Sequence, residues 1–88
     1  DLENARDNLK EALRYEPKLS GAWRFLATAE GRLGNAGGAS LALAEEALLR
    51  GNKGSALSHV KRAMLSLPEG SPNWFRAQDI ESAAQKTE

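Results

Sequence analysis

The chain has 88 residues, of which 41% are hydrophobic, and its twelve basic and twelve acidic side chains cancel. That length makes one domain, burying roughly 60% of its unfolded surface, and the neutral balance offers no general attraction to nucleic acid or anionic lipid. Cysteine is absent, which excludes disulfides and thiolate metal sites, and no apolar run approaches the ~18 residues that span a bilayer.

Valine and isoleucine each occur once, too few β-branched residues for a sheet, so the expected fold class is all-α. The first helix is predicted at about 2–15, with Leu2, Ala5, Leu9, Ala12 and Leu13 on one face at i, i+3, i+4 spacing. Pro17 ends it by forcing the preceding residue out of the α region. Ser20 is the expected cap of a second helix at about 21–33, whose apolar stripe is Trp23, Leu26, Ala27 and Leu33. Gly34 stops this helix, because glycine takes the left-handed conformation without strain.

A third helix at about 39–50 holds Leu41, Leu43, Ala44, Ala47 and Leu48, and Gly51 ends it in the same way. Its entrance, AGGAS, has poor helix propensity and is expected to be a mobile joint where the row bends. Asn52 caps a fourth helix at about 53–67, with Ala56, Leu57, Val60, Ala63, Met64 and Leu67 inward and Pro68 and Gly70 closing it. Ser71-Pro72 opens the fifth, at about 72–85, as an N-cap followed by proline at N1. Trp74, Ala77, Ile80, Ala83 and Ala84 form its buried side. Short turns make neighbours antiparallel, so one domain over 1–88 is expected as a row of helix hairpins.

The row carries an internal period. Gly34-Asn35 and Gly51-Asn52 repeat one turn signal seventeen positions apart. The segment 44–68, AEEALLRGNKGSALSHVKRAMLSLP, ends one helix at Gly51, spaces Ala56 and Ala63 two turns apart on the next, and closes at Pro68. It resembles the tetratricopeptide repeat, a helix pair of about 34 residues. Ala5, Leu9, Ala12 and Pro17 match the second helix of such a pair, while Trp23, Leu26, Ala27 and Gly34 match the first. Trp74 stands six residues after Pro68, as Trp23 does after Pro17. The resemblance implies a right-handed stack of five antiparallel helices.

Two departures mark it. Glu30 replaces the aromatic ring of the first helix, which implies an open face or a looser pair, and the third helix suits either role poorly. That helix must close the hairpin begun by the second and open the one completed by the fourth, as if half a repeat were missing.

The stretches LALAEEALLRGN and KRAMLSLPEGSPNWFRAQDI support a narrower likeness. Leu43, Ala44, Glu45, Gly51 and Ala56 carry it, with Arg62, Ala63, Pro68, Gly70 and Ser71, and then Pro72, Trp74, Arg76, Ala77 and Asp79. They are similar to the C-terminal tetratricopeptide part of exported bacterial zinc metallopeptidases, gluzincins related to CAAX prenyl proteases. That resemblance implies an HExxH zinc domain ahead of this chain and a periplasmic or membrane-associated parent. The chain begins at Asp1 rather than Met, and is expected to be a piece of a larger protein. The other reading is a tetratricopeptide adaptor unrelated to any protease.

No catalytic constellation is legible, and no catalytic, cofactor or metal residue is assigned. The single histidine, His59, cannot build an HExxH pair; it reads as a surface or boundary residue. Ser58 and Ser66 share its helix at offsets that do not make a triad. GNAGGAS lacks the lysine and preceding strand of a phosphate loop, and Glu45-Glu46 reads as solvated surface. Lys61-Arg62 on the fourth helix is one basic pair, too little for phosphate-driven DNA binding. The expectation is therefore a non-catalytic module that binds protein or peptide, with no cofactor in this chain.

Stacked helix pairs curve, and the concave side is where extended peptides lie. On the second helix Arg24, Thr28 and Arg32 share a face at i, i+4, i+8 spacing. They are the candidate partner contacts, the arginines for acidic or carboxylate groups. Trp23 and Trp74 occupy packing positions, whereas Phe75 beside Trp74 is expected at the surface, against a neighbouring domain. With no helix ahead of the first, Leu2, Leu9 and Leu13 are expected to form an exposed apolar end suited to self-association.

Overall fold

The computed structural model describes residues 1–86; the last two of the domain expected over 1–88 lie outside it. It contains five helices: α1 (Leu2–Tyr15), α2 (Ser20–Arg32), α3 (Ala36–Leu49), α4 (Lys53–Ser66) and α5 (Pro72–Gln85). No strand occurs among the described residues. The all-α expectation holds, in a body measuring 41 × 26 × 18 Å.

The two Gly-Asn turns are built alike. Gly34 and Gly51 take φ values of 82° and 77°, the left-handed region that costs glycine nothing. Behind them Asn35 N donates to Glu30 O and Asn52 N to Ala47 O, each at 2.9 Å, the six-to-one bond of a Schellman motif. Each asparagine then caps the next helix. Asn35 Oδ1 accepts from Gly38 N at 3.1 Å and Asn52 Oδ1 from Ser55 N at 3.0 Å. One dipeptide thus ends one helix and starts another, which keeps the turns short and the neighbours antiparallel. Ser71 caps α5 through Trp74 N at 3.2 Å, with Pro72 opening the helix.

Ser20 is not a cap. It is the first residue of α2, and Leu19 holds the cap position without a side-chain bond. Trp23 fixes this corner instead, donating from Nε1 to Pro17 O at 2.7 Å.

The core is dominated by alanine, so helices approach closely. Leu41, Ala44 and Ala47 of α3 meet Ala56, Val60 and Ala63 of α4 and Ala77, Ile80 and Ala84 of α5. A second cluster joins Leu13, Leu26, Ala27 and Ala42 from the first three helices. Helix α3 packs against α2, α4 and α5, so it is apolar on nearly every side, as a central helix must be.

The structure departs from three further expectations. The AGGAS entrance is no loose joint: it forms the first turns of α3, and Gly37, Gly38 and Ser40 are buried. The small residues serve contact, because a Cβ at Gly37 would stand 3.0 Å from Leu67 Cδ2. Ala5 and Ala12, expected inward, are exposed, since the backbone of α1 closely approaches α2 alone and one close neighbour covers one narrow stripe. Leu13, expected at an uncovered end, is buried beneath α2 and α3; Leu9 is half-buried and Leu2 alone of the three is exposed.

His59 lies half-buried on α4, with Nδ1 shielded from solvent and lacking a partner among the described residues. Burial, reinforced by the nearby Arg62, pushes its pKa below the ordinary value. A folded state that resists protonation keeps its stability above the unfolded value of about 6.5 and loses it as pH falls towards the lower folded value. Thermal melts between pH 8 and 5 should show this decline, and His59→Gln should flatten it. A decline of equal size in the variant would assign it elsewhere.

A candidate polypeptide-binding cleft

Three buried carboxylates, Glu30, Glu45 and Glu46, organise the inner faces of the helices, and the Glu45-Glu46 pair is not the solvated surface that was expected. Glu45 and Glu46 are 7% and 5% exposed. Both project from α3, which has neighbours on several sides, so even its polar positions are covered. Arg76 of α5 grips Glu45 in a bidentate pair, with Nε to Oε2 and Nη2 to Oε1 both at 2.7 Å. These bonds raise the arginine's pKa further. On Glu46, Arg50 Nε donates to Oε2 at 2.6 Å and Arg24 Nη2 donates to the same oxygen at 3.1 Å. The Arg50 bond is the chief reason that the Glu46 pKa is lowered. Its contribution to stability is therefore complete above the unfolded carboxylate value, about 4.3, and lost as pH falls through the lowered one.

The third carboxylate is Glu30, which is 1% exposed. Oε2 accepts from Asn35 Nδ2 at 3.0 Å and has Lys10 Nζ at 3.6 Å, beyond hydrogen-bond length. It also sits over the first turn of α3, so near Gly38 that a Cβ there would meet it at 2.5 Å. A carboxylate at a helix N-terminus is favoured by the exposed N–H groups and the macrodipole. Glu30 Oε1, by contrast, is shielded and has no partner among the described residues. At Glu30, where an open face or a looser pair was expected, glycine packing thus seals the carboxylate locally, with one polar atom left over.

Beside Glu30 the helices part. Helix α3 approaches α5 across α4, but α1 makes no corresponding backbone approach to α3, and a cleft of about 330 Å³ opens there. Leu13, Trp23, Leu26, Leu41 and Ala42 give it apolar walls. Lys10 and Arg14 from α1 and Asn73 and Arg76 from α5 stand around it, with Glu30 and Glu45 alongside. Every cation of this rim has an acid near it: Lys10 has Glu30, Arg76 has Glu45 and Arg14 has Glu11 at 3.8 Å.

The candidate contacts from sequence fall elsewhere. Arg24, Thr28 and Arg32 are all exposed on α2, and none lines the cleft. Arg24 is engaged by Glu46, and the Thr28 hydroxyl donates to the Arg24 carbonyl at 3.3 Å. The i, i+4 row is real as an exposed surface, but it lies outside the cleft. Phe75 is 53% exposed as expected, set edge-on to Trp74 with ring centroids 5.1 Å apart.

Among the repeat positions, Ala27, Ala56 and Ala63 are buried and Trp23 and Trp74 half-buried, as packing positions should be. Lys10, Arg14 and Arg76 gave no sequence signal as a group, because they lie on helices far apart in the chain. Glu45 and Glu46 did: two acids inside the otherwise apolar run LALAEEALL require buried partners.

Among the described residues the structure is all-helical and carries an apolar-walled cleft. Compared with protein-family models, curated proteins and solved structures, the chain matches none of them.

Proposed function

We propose that the chain is a non-catalytic protein-interaction module that holds a polypeptide segment in the cleft between α1, α3 and α5. The observation that carries this reading is the cleft itself. It has apolar walls, polar groups gathered at its rim and a volume of about 330 Å³, suited to one or two side chains of an extended segment. The stacking of α3 on α5 across α4 supports a tetratricopeptide-like arrangement, in which alternate helices share a face and that face receives the ligand.

The resemblance to the tails of exported zinc metallopeptidases extends the proposal. On that reading the segment belongs to a polypeptide partner or to the parent's own catalytic domain. An HExxH motif encoded ahead of this chain supports the extension, and a gene without one removes it while leaving the cleft reading intact.

A peptide library selected on the chain tests the function. Peptides so obtained should bind Asn73→Trp at least about tenfold more weakly, because the exposed Asn73 on the rim would become a ring filling the cleft. Undiminished calorimetric affinity for the variant, or a library that yields no binder, would refute the assignment.

A further inference from the structure

We propose that the cleft selects a basic side chain, a lysine or arginine of the bound segment, whose aliphatic stem lies on the apolar walls and whose cationic head pairs with Glu30. This rests on the polypeptide-binding reading and names what that site recognises. Most polar groups of the cleft already have partners. Arg76 is engaged at two nitrogens by Glu45, and the other rim cations each have an acid within 4 Å. The group left wanting is an acceptor: Glu30 Oε1, on a side chain 2% exposed, with no donor among the described residues.

A buried carboxylate oxygen without a donor is costly, and a site that accepts this cost recovers it when a donor arrives. The donor must come along an apolar path, since Leu13, Leu26 and Leu41 wall the cleft that Glu30 lines. A methylene stem ending in a charge has that form. Lys10 already imitates the arrangement poorly: its Nζ stops 3.6 Å from Oε2, and its side chain is 49% exposed. Lys10 is a loosely held neighbour on Oε2, so the ligand's cation would compete with it for the same carboxylate while supplying the donor that Oε1 lacks.

The test uses the full chain with three capped peptides, acetyl-Ala-Leu-X-Leu-Ala-amide, in which X is lysine, norleucine or glutamate. The lysine peptide should bind about tenfold tighter than the norleucine peptide, the difference expected of a charge-assisted bond at a buried acceptor. Glu30→Gln should erase that preference without weakening the norleucine peptide. Lys10→Met, which keeps the stem and removes the competing charge, should strengthen lysine-peptide binding, a gain that a damaged fold could not produce. Equal affinity of lysine and norleucine peptides, or a preference for glutamate, overturns the proposal while sparing the polypeptide reading. Failure of all three peptides to bind overturns both.

Discussion

Gly38→Ala should destabilise the protein by about 2 kcal/mol, although alanine is the better helix former. The propensity gain in a helix interior is about 1 kcal/mol. Against it, the new Cβ would stand 2.5 Å from Glu30 Oε2, 2.6 Å from Asn35 Nδ2 and 3.0 Å from Asn35 Cγ. Neither neighbour is a free surface chain. Glu30 is buried and Asn35 is the cap whose Oδ1 accepts from Gly38 N. Moving either one breaks the Asn35–Glu30 bond or the cap, worth about 1 kcal/mol each, and overpacking adds about 1–3 kcal/mol. For a domain of this size the melting temperature should fall by about 10 °C. Gly31→Ala is the matched control: its Cβ would meet only Ala39 Cβ, at 4.0 Å, so it should be neutral or stabilising by up to about 1 kcal/mol. Equal behaviour of the two variants would contradict the close packing of Glu30 on α3.

Arg76→Ala should cost about 2–3 kcal/mol, because it strands a charge. Glu45 is 9% exposed at its side chain and receives both its hydrogen bonds from Arg76. Removing one partner of a buried pair typically costs about 3–5 kcal/mol. The figure is set lower here because Arg76 is itself half-exposed and water can follow its removal. Arg76→Lys should recover only part of the loss, since a point charge cannot span two oxygens. The informative variant is the double one. Glu45→Met with Arg76→Met removes both charges and keeps apolar volume, so it should be less damaging than Arg76→Ala alone. Denaturant unfolding of the set decides it, and a double variant as unstable as the sum of its singles would show that the pair is not coupled.

These two residues also show how far the sequence could be read. Helix number, order and most boundaries follow from spacing and punctuation. Pro17, the paired Gly-Asn turns and Ser71-Pro72 act within a few residues, where local physics decides. The errors at the AGGAS entrance and at Glu45-Glu46 have one cause, which is that α3 is central. Its glycines read as a flexible joint because propensity ignores what presses on a helix, and Leu67 and Glu30 press on Gly37 and Gly38. Glu45-Glu46 read as surface because an acid is normally solvated, yet their arginine partners sit at positions 24, 50 and 76. Pairing across helices leaves no period in the sequence. For the same reason Arg24, Thr28 and Arg32 could be recognised as a row, but not as a row outside the cleft.

The central claim is that a polypeptide binds between α1, α3 and α5, and its most direct measurement is a residue-by-residue map of backbone amide shifts on adding a selected peptide. The largest changes should fall at Lys10, Leu13, Trp23, Glu30, Leu41 and Asn73, which line one cleft from four helices. Changes confined to Arg24, Thr28 and Arg32, or to the exposed Phe75, with the cleft amides unmoved, would contradict it.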